Sequence, residues 1–162
     1  MSAALVALGS NVGPRQEILA RVLRELGRLP GTRLIAASSL HETAPVGCPP
    51  GSGPFLNAAA LLETELTPRQ LLGALLALEA AHGRSRGLPN APRTLDLDLL
   101  LHGETVLDEP GLTVPHPRLH QRRFVLAPAV EIAPELRHPV LGRTLRELLA
   151  ALPTEAEDAC AS

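Results

Sequence analysis

Two carboxylates stand two residues apart in the run Pro92-Arg93-Thr94-Leu95-Asp96-Leu97-Asp98-Leu99-Leu100-Leu101. On an extended strand successive side chains alternate faces, so Asp96 and Asp98 point the same way, roughly 7 Å apart. Leu95, Leu97 and Leu99 then point the other way, into a core. Carboxylates among leucines are unfavourable to bury unless positive charge meets them. Oxygen ligands with nothing softer nearby suit Mg²⁺, which completes its shell with water and substrate phosphates. The spacing therefore suggests phosphate chemistry; the plain alternative is an edge strand whose polar face is merely wet.

Arg84, Arg86 and Arg93 flank this strand. A guanidinium grips phosphate bidentately, so these three suit a phosphate clamp, against the alternative of a solvated basic loop. His116 sits between Pro115 and Pro117 and could meet a phosphate oxygen, although a lone histidine is more often structural. His116 and His120 have i, i+4 spacing, but Pro117 between them argues against a helical zinc pair. Asn57 shares a strand face with Phe55 and offers both a donor and an acceptor, which suits an amide-bearing heterocycle, against the alternative of a polar residue on an edge strand. Phe55 and Phe124 are the only Phe, Tyr or Trp residues in the chain. Both would ordinarily read as core, but stacking a flat ring is work that an aromatic does well. Glu79, among helix leucines, reads on its own as a helix-face salt bridge, and Cys48 as loop packing.

The chain has 162 residues and a formal net charge of −2. That length suits one domain with a proper core, expected over residues 1–152 with a flexible tail at 153–162. The charge implies no broad cationic field, so nucleic acid is not an expected partner. All 15 basic residues are arginine. Cys48 and Cys160 match no metal or redox spacing and read as free thiols in a reducing cytosol, so the expected location is cytoplasmic. No run approaches the ~18 apolar residues of a membrane span. The apolar start at residues 1–8 lacks a basic flank and cleavage site and reads as a first strand.

The elements that would position these side chains follow from pattern. Residues 3–8 form a continuous apolar run, as in a buried central strand. Pro14 opens a helix to about Arg28, with Ile18, Leu19, Val22, Leu23 and Leu26 on one face. Residues 32–40 read as a second strand and 55–63 as a third. Thr67-Pro68 is an N-cap followed by proline at the first helical position, opening a helix to about His82. The acid-bearing strand follows. Thr105 to Leu107 suggests a short hairpin partner, and residues 113–117 are extended. A helix from Arg123 to about Ile132 is expected to break at Pro128 or Pro134, and a last helix runs from Thr144 to about Leu152. Segments 43–54 and 83–92 are too rich in Pro and Gly for regular structure. Strand–helix–strand twice over is the order of a ferredoxin-like α+β sandwich, with a mainly antiparallel sheet and loops over a cleft.

Several motifs taken together resemble one family. They are Ala7-Leu8-Gly9-Ser10-Asn11-Val12-Gly13, Glu42-Thr43-Ala44-Pro45-Val46-Gly47, Phe55-Leu56-Asn57-Ala58-Ala59, Gly83-Arg84, the Pro92–Leu100 run and Leu112-Thr113-Val114-Pro115-His116-Pro117. In order and spacing the chain resembles 6-hydroxymethyl-7,8-dihydropterin pyrophosphokinase over about residues 3 to 150. The resemblance implies an ATP-dependent enzyme of folate biosynthesis that moves pyrophosphate to the pterin hydroxymethyl group and releases AMP. It implies that Asp96 and Asp98 hold two Mg²⁺ ions. Arg84 and Arg93 would grip the ATP phosphates, and His116 and Arg122 would line the triphosphate path. Glu79, Leu99 and Thr113 match positions near the nucleotide. Phe55 and Phe124 match rings that sandwich the pterin, and Asn57, with the backbone around Thr43, Pro45 and Val46, matches its hydrogen-bonding edge. Phe55 stands where family members often carry Tyr, Pro117 stands where an aromatic can occur, and the loop before Pro92 lacks the Trp of some members. The expected partners are ATP and the pterin alone, with no membrane and a monomeric chain.

Loops 43–54 and 83–92 are the natural lids for excluding water from ATP. Two other readings of the same residues remain: a Mg²⁺-dependent nucleotidyltransferase, which would release pyrophosphate, and a non-catalytic ferredoxin-like module that binds nucleotide or pterin.

Overall fold

Alternation along β1 (Ser2–Ser10) divides its side chains between two cores. Ala4, Val6 and Leu8 enter one, while Leu5 and Ala7 face the other. A strand buried on both sides must lie inside a sheet covered on both faces. The computed structural model, which describes residues 1–10, 15–43, 55–82 and 95–153, has this arrangement.

After β1 come α1 (Arg15–Leu26), β2 (Thr32–Ala37), β3 (His41–Thr43), β4 (Phe55–Thr64), α2 (Pro68–Ala81) and β5 (Asp96–His102). The main sheet runs β2-β4-β1-β5, with β3 also paired to β4, and every pairing is antiparallel. This is the ferredoxin-like order expected from the sequence. A hairpin of β6 (Leu107–Glu109) and β7 (Leu112–Val114), a 3₁₀ turn at Leu119–Gln121, α3 (Arg123–Ile132) and α4 (Leu145–Ala150) complete the described chain. Among the described residues no helix is long and apolar enough to cross a membrane.

α1 and α2 cover one face, through Leu19, Val22, Leu26, Leu71 and Leu75. α3 and α4 cover the other, through Val125, Leu126, Ala129, Leu145 and Leu148. Each fully buried leucine contributes about 1.5–3 kcal/mol relative to exposure, which offsets part of the entropy lost in ordering each layer. The α2 N-terminus has the expected cap: Thr67 Oγ1 accepts from the Gln70 amide at 3.1 Å, and Gln70 Oε1 accepts from the Thr67 amide at 2.9 Å. α4 repeats the device with Thr144 and Glu147.

Four boundaries differ from the sequence expectation. α1 ends at Leu26, just before Gly27, a poor helix former. β2 stops at Ala37 because residues 38–40 break the ladder before β3 resumes it. Pro128 does not break α3: it lies within the helix, where one lost hydrogen bond is outweighed by the burial of Val125, Leu126 and Ala129 beside it. The hairpin near residue 105 forms one strand later, between β6 and β7. The tail at 154–162 and most of the two Pro/Gly-rich loops, including Cys48, lie outside the described residues.

Candidate active site

β5 is the terminal strand of the sheet, and its alternation places the two acids as expected. Leu95, Leu97 and Leu99 are buried in the α1/α2 core, and Asp96 and Asp98 point to the opposite face, Asp98 the more exposed. Where β5 pairs with β1, Val6 stands opposite Leu99 and Leu5 opposite Leu101, so Leu100 is an extra residue. This bulge sends both Leu100 and Leu101 into the α3/α4 core. The face that carries the acids is thus apolar and covered at one end and polar at the other.

Pairing registers extend the acid site across the sheet. Gly9 of β1 stands opposite Asp96 of β5 on one side and Asn57 of β4 on the other. The next row is Ala59, Ala7 and Asp98. Gly9, half-buried and without a side chain, leaves a low floor between the amide of Asn57 and Asp96, while Ala59 in the next row is fully buried against the α3/α4 core. A Cβ added at Gly9 would lie 3.4 Å from Asn57 Oδ1, which puts the missing side chain on that same face. Asn57 itself is buried. One register step outward, Thr43 pairs with Phe55; the side chains of both lie outside the described residues.

Along the outer edge of β5 runs a cleft of about 260 Å³, bounded by Leu97, Asp98 and Leu99, by Leu72 of α2, and by Leu112, Thr113, His116 and Pro117. His116 is fixed at two points. Its amide donates to the carbonyl of the bulged Leu100 at 2.9 Å, and its Nδ1 accepts from the Arg118 amide at 3.1 Å. With Nδ1 occupied as an acceptor, the neutral ring carries its proton on Nε2. Burial pushes the His116 pKa below its ordinary value; Asp98 opposes this, while Arg122 and Arg118 add to it. His116, Asp98 and Arg122 are therefore electrostatic neighbours. Arg122 is buried, with its guanidinium carbon 5.7 Å from the centroid of the half-buried Phe124 ring.

Glu79 is not the surface ion-pair former that its helix position alone suggests. It is buried, and its Oε2 accepts the Leu97 amide at 2.8 Å. The carboxylate of α2 thereby holds the peptide between the two acids.

The structure thus assembles Asp98, Leu99, Thr113 and His116 around one cleft, with Arg122 and Phe124 beside it and Asp96 and Asn57 on the adjoining floor. Glu79 supports this group from behind. Arg84, Arg86, Arg93, Pro45 and Val46 lie outside the described residues. Sequence reasoning missed Gly9 as part of the floor, and Leu72, Leu97 and Leu112 as cleft walls. Gly9 becomes visible only when the register sets it between Asn57 and Asp96, and the leucines read as ordinary core.

As a magnesium site, the acid pair passes a test of donor chemistry. Among the described residues no group of three or more His, Cys, Asp or Glu side chains gathers to enclose a metal. Two oxygen donors on one accessible face, beside a cleft, are the protein share that Mg²⁺ needs when phosphates and water supply the rest.

The sequence model of the family described as 7,8-dihydro-6-hydroxymethylpterin-pyrophosphokinase matches residues 5–134. The 2-amino-4-hydroxy-6-hydroxymethyldihydropteridine pyrophosphokinase of Pseudomonas aeruginosa is 50% identical over 150 residues, covering 93% of this chain and 91% of its own. The protein of the same name from Methylorubrum extorquens is 41% identical over 152 residues, covering 94% of each chain. Among solved structures, wild-type HPPK-DHPS of Plasmodium falciparum superimposes over 92% of this chain with a TM-score of 0.74 at 15% identity, a likeness of fold. This chain spans 44% of that longer one. The family match across most of the chain, with relatives this similar over nearly their whole length, means that the chain belongs to the 7,8-dihydro-6-hydroxymethylpterin-pyrophosphokinase family of ATP-dependent diphosphotransferases.

Proposed function

We propose that this chain transfers pyrophosphate from ATP to the hydroxymethyl oxygen of 6-hydroxymethyl-7,8-dihydropterin and releases AMP, a step of folate biosynthesis. One observation carries the reading: a carboxylate pair stands between an open cleft along the sheet edge and a low floor at Gly9 that ends at a buried amide.

ATP lies with its base end in the cleft between Leu72, Leu99, Leu112 and Thr113, and its triphosphate passes His116 and Arg122. The pterin lies across the floor. Its amide edge meets the Asn57 side chain and the backbone around Thr43, Pro45 and Val46, and its ring stacks between Phe55 and Phe124. Asp96 and Asp98 hold Mg²⁺, two ions by the family likeness, which when bound neutralises phosphate charge and templates the transfer.

The chain's own part is positioning and charge stabilisation. His116 offers its Nε2–H to a phosphate oxygen in an orientation set by Leu100 and Arg118. Arg122 adds fixed positive charge, and Arg84 and Arg93 complete the phosphate grip. No side chain acts as nucleophile. The substrate alcohol attacks the β-phosphorus, its proton passes to solvent or a phosphate oxygen, and the bond to the AMP oxygen breaks.

The test is to incubate the protein with ATP, Mg²⁺ and the pterin alcohol and to identify the products. AMP and the pterin pyrophosphate in equal amounts support the reading. Release of free pyrophosphate with a nucleotidylated pterin would replace it with a nucleotidyltransferase. Binding of both substrates without any turnover would leave a binding module.

A further inference from the structure

Glu131, on the exposed side of α3, takes three hydrogen bonds from the segment that leads into β3. The Ser39 amide donates to Oε2 at 2.6 Å, Ser39 Oγ donates to Oε1 at 2.7 Å, and His41 Nε2 lies 2.9 Å from Oε1. A surface carboxylate beside one histidine would contribute little. Convergence of three donors is different, and they hold the Glu131 carboxyl down at about 2, so it stays ionised throughout the working range.

What these bonds fix is a defect in the ladder. On β4, Ala60 pairs with Ala37 and Asn57 pairs with His41. Between those pairs β4 has two residues, 58 and 59, while the facing chain has three, 38–40. The extra residue makes a bulge. Ser38 holds its inner side, donating its amide to the Ala59 carbonyl at 2.9 Å and accepting the Ala59 amide on Oγ at 2.8 Å. Glu131 holds its outer side through Ser39. Beyond the bulge, β3 pairs with the first three residues of β4, Phe55, Leu56 and Asn57. Bulges next to active sites re-aim the strand that follows them, and this one aims β3 at the end of β4 that carries Asn57.

We propose that Glu131 is a positioning residue for the pterin: by clamping the bulge at residues 38–40 it sets where β3 meets the substrate-recognising start of β4. The proposal rests on the pterin reading of Asn57 given above. Glu131 touches neither substrate in this arrangement and acts only through Ser39 and His41. The nucleotide cleft lies along β5, at the opposite edge of the sheet, so the clamp bears on one substrate and not the other.

The test compares Glu131→Ala, Ser39→Ala and Ser39→Thr with the wild type. It measures equilibrium binding of the pterin alcohol in the presence of a non-hydrolysable ATP analogue, KM for each substrate, and the melting temperature. Glu131→Ala is expected to weaken pterin binding roughly tenfold or more, as misplacement at a distance does. KM for ATP should stay within about twofold, as expected of separated sites. Ser39→Ala should lie between, and Ser39→Thr, which keeps the hydroxyl donor, should behave as wild type. Parallel loss of both substrates in the folded variants, or unchanged pterin binding, overturns the proposal. If Glu131→Ala does not fold, the contrast between Ser39→Ala and Ser39→Thr decides. Wild type that binds ATP but not the pterin overturns the reading of Asn57 and the proposal with it. Wild type and Glu131→Ala that bind both equally well overturn the proposal alone.

Discussion

The Leu97 amide donates to the buried Glu79 carboxylate at 2.8 Å, at the midpoint of the peptide run that joins Asp96 to Asp98. A terminal strand leaves backbone donors unpaired on its outer side, and α2 supplies this one with a side-chain oxygen acceptor. The same bond restrains the separation and tilt of the two acids. Glu79→Leu should therefore lower stability by about 1–3 kcal/mol by leaving the Leu97 amide unsatisfied. It should also loosen the acid pair. Urea unfolding and hydrogen exchange at Leu97 measure the two effects; unchanged exchange at that amide would refute the support role.

The acids themselves should behave in the opposite way. Asp96 and Asp98 face away from the α1/α2 core, so Asp96→Asn and Asp98→Asn remove charge and almost no packing. Each variant should melt close to wild type while AMP formation falls by roughly a hundredfold or more. A variant that retains full turnover would remove that carboxylate from the site.

Histidine protonation gives a signed test. His116 is held below its ordinary pKa chiefly by burial, with Asp98 pulling the other way. Between that lowered value and about 6.5 the unfolded chain binds more protons than the folded one. Stability attached to His116 is therefore fully present above about 6.5 and declines as pH falls through the window below it. NMR titration should give a His116 midpoint below that of an exposed histidine, and Asp98→Asn should lower it further. A midpoint that rises in Asp98→Asn would show that the carboxylate does not act on the ring.

Gly9 tests the floor between Asn57 and Asp96. Its backbone is ordinary extended strand, so Gly9→Ala makes only a van der Waals contact with Asn57 Oδ1 at 3.4 Å and should be tolerated. Gly9→Leu would raise a bulky side chain from the middle of the row. It should weaken pterin binding roughly tenfold or more, a substrate-sized misplacement, with the fold retained. Equal pterin affinity in both variants would mean that the substrate does not cross that row.

Much of this protein follows from local sequence. Period-two alternation puts Asp96 and Asp98 on one face of β5 whatever its partners, because strand geometry allows nothing else. Thr67-Pro68 starts α2 because the cap and the fixed proline dihedral act within four residues. The strand–helix order suffices for the ferredoxin-like topology, and the motifs together, the Pro92–Leu100 run foremost, suffice for the family. Other features needed the folded sheet. Only the pairing register lines up Asn57, Gly9 and Asp96, residues far apart in the chain. Only the packing of α2 on β5 turns Glu79 from a helix-surface acid into a buried acceptor for Leu97. The extra residue at 38–40 looks like continuous strand until β4 is laid beside it, and Glu131 has no visible purpose until α3 crosses that bulge. Spacing along the chain decides what a side chain can offer; non-local pairing decides what it meets, because register and helix packing are set by burial over the whole molecule rather than within any short window.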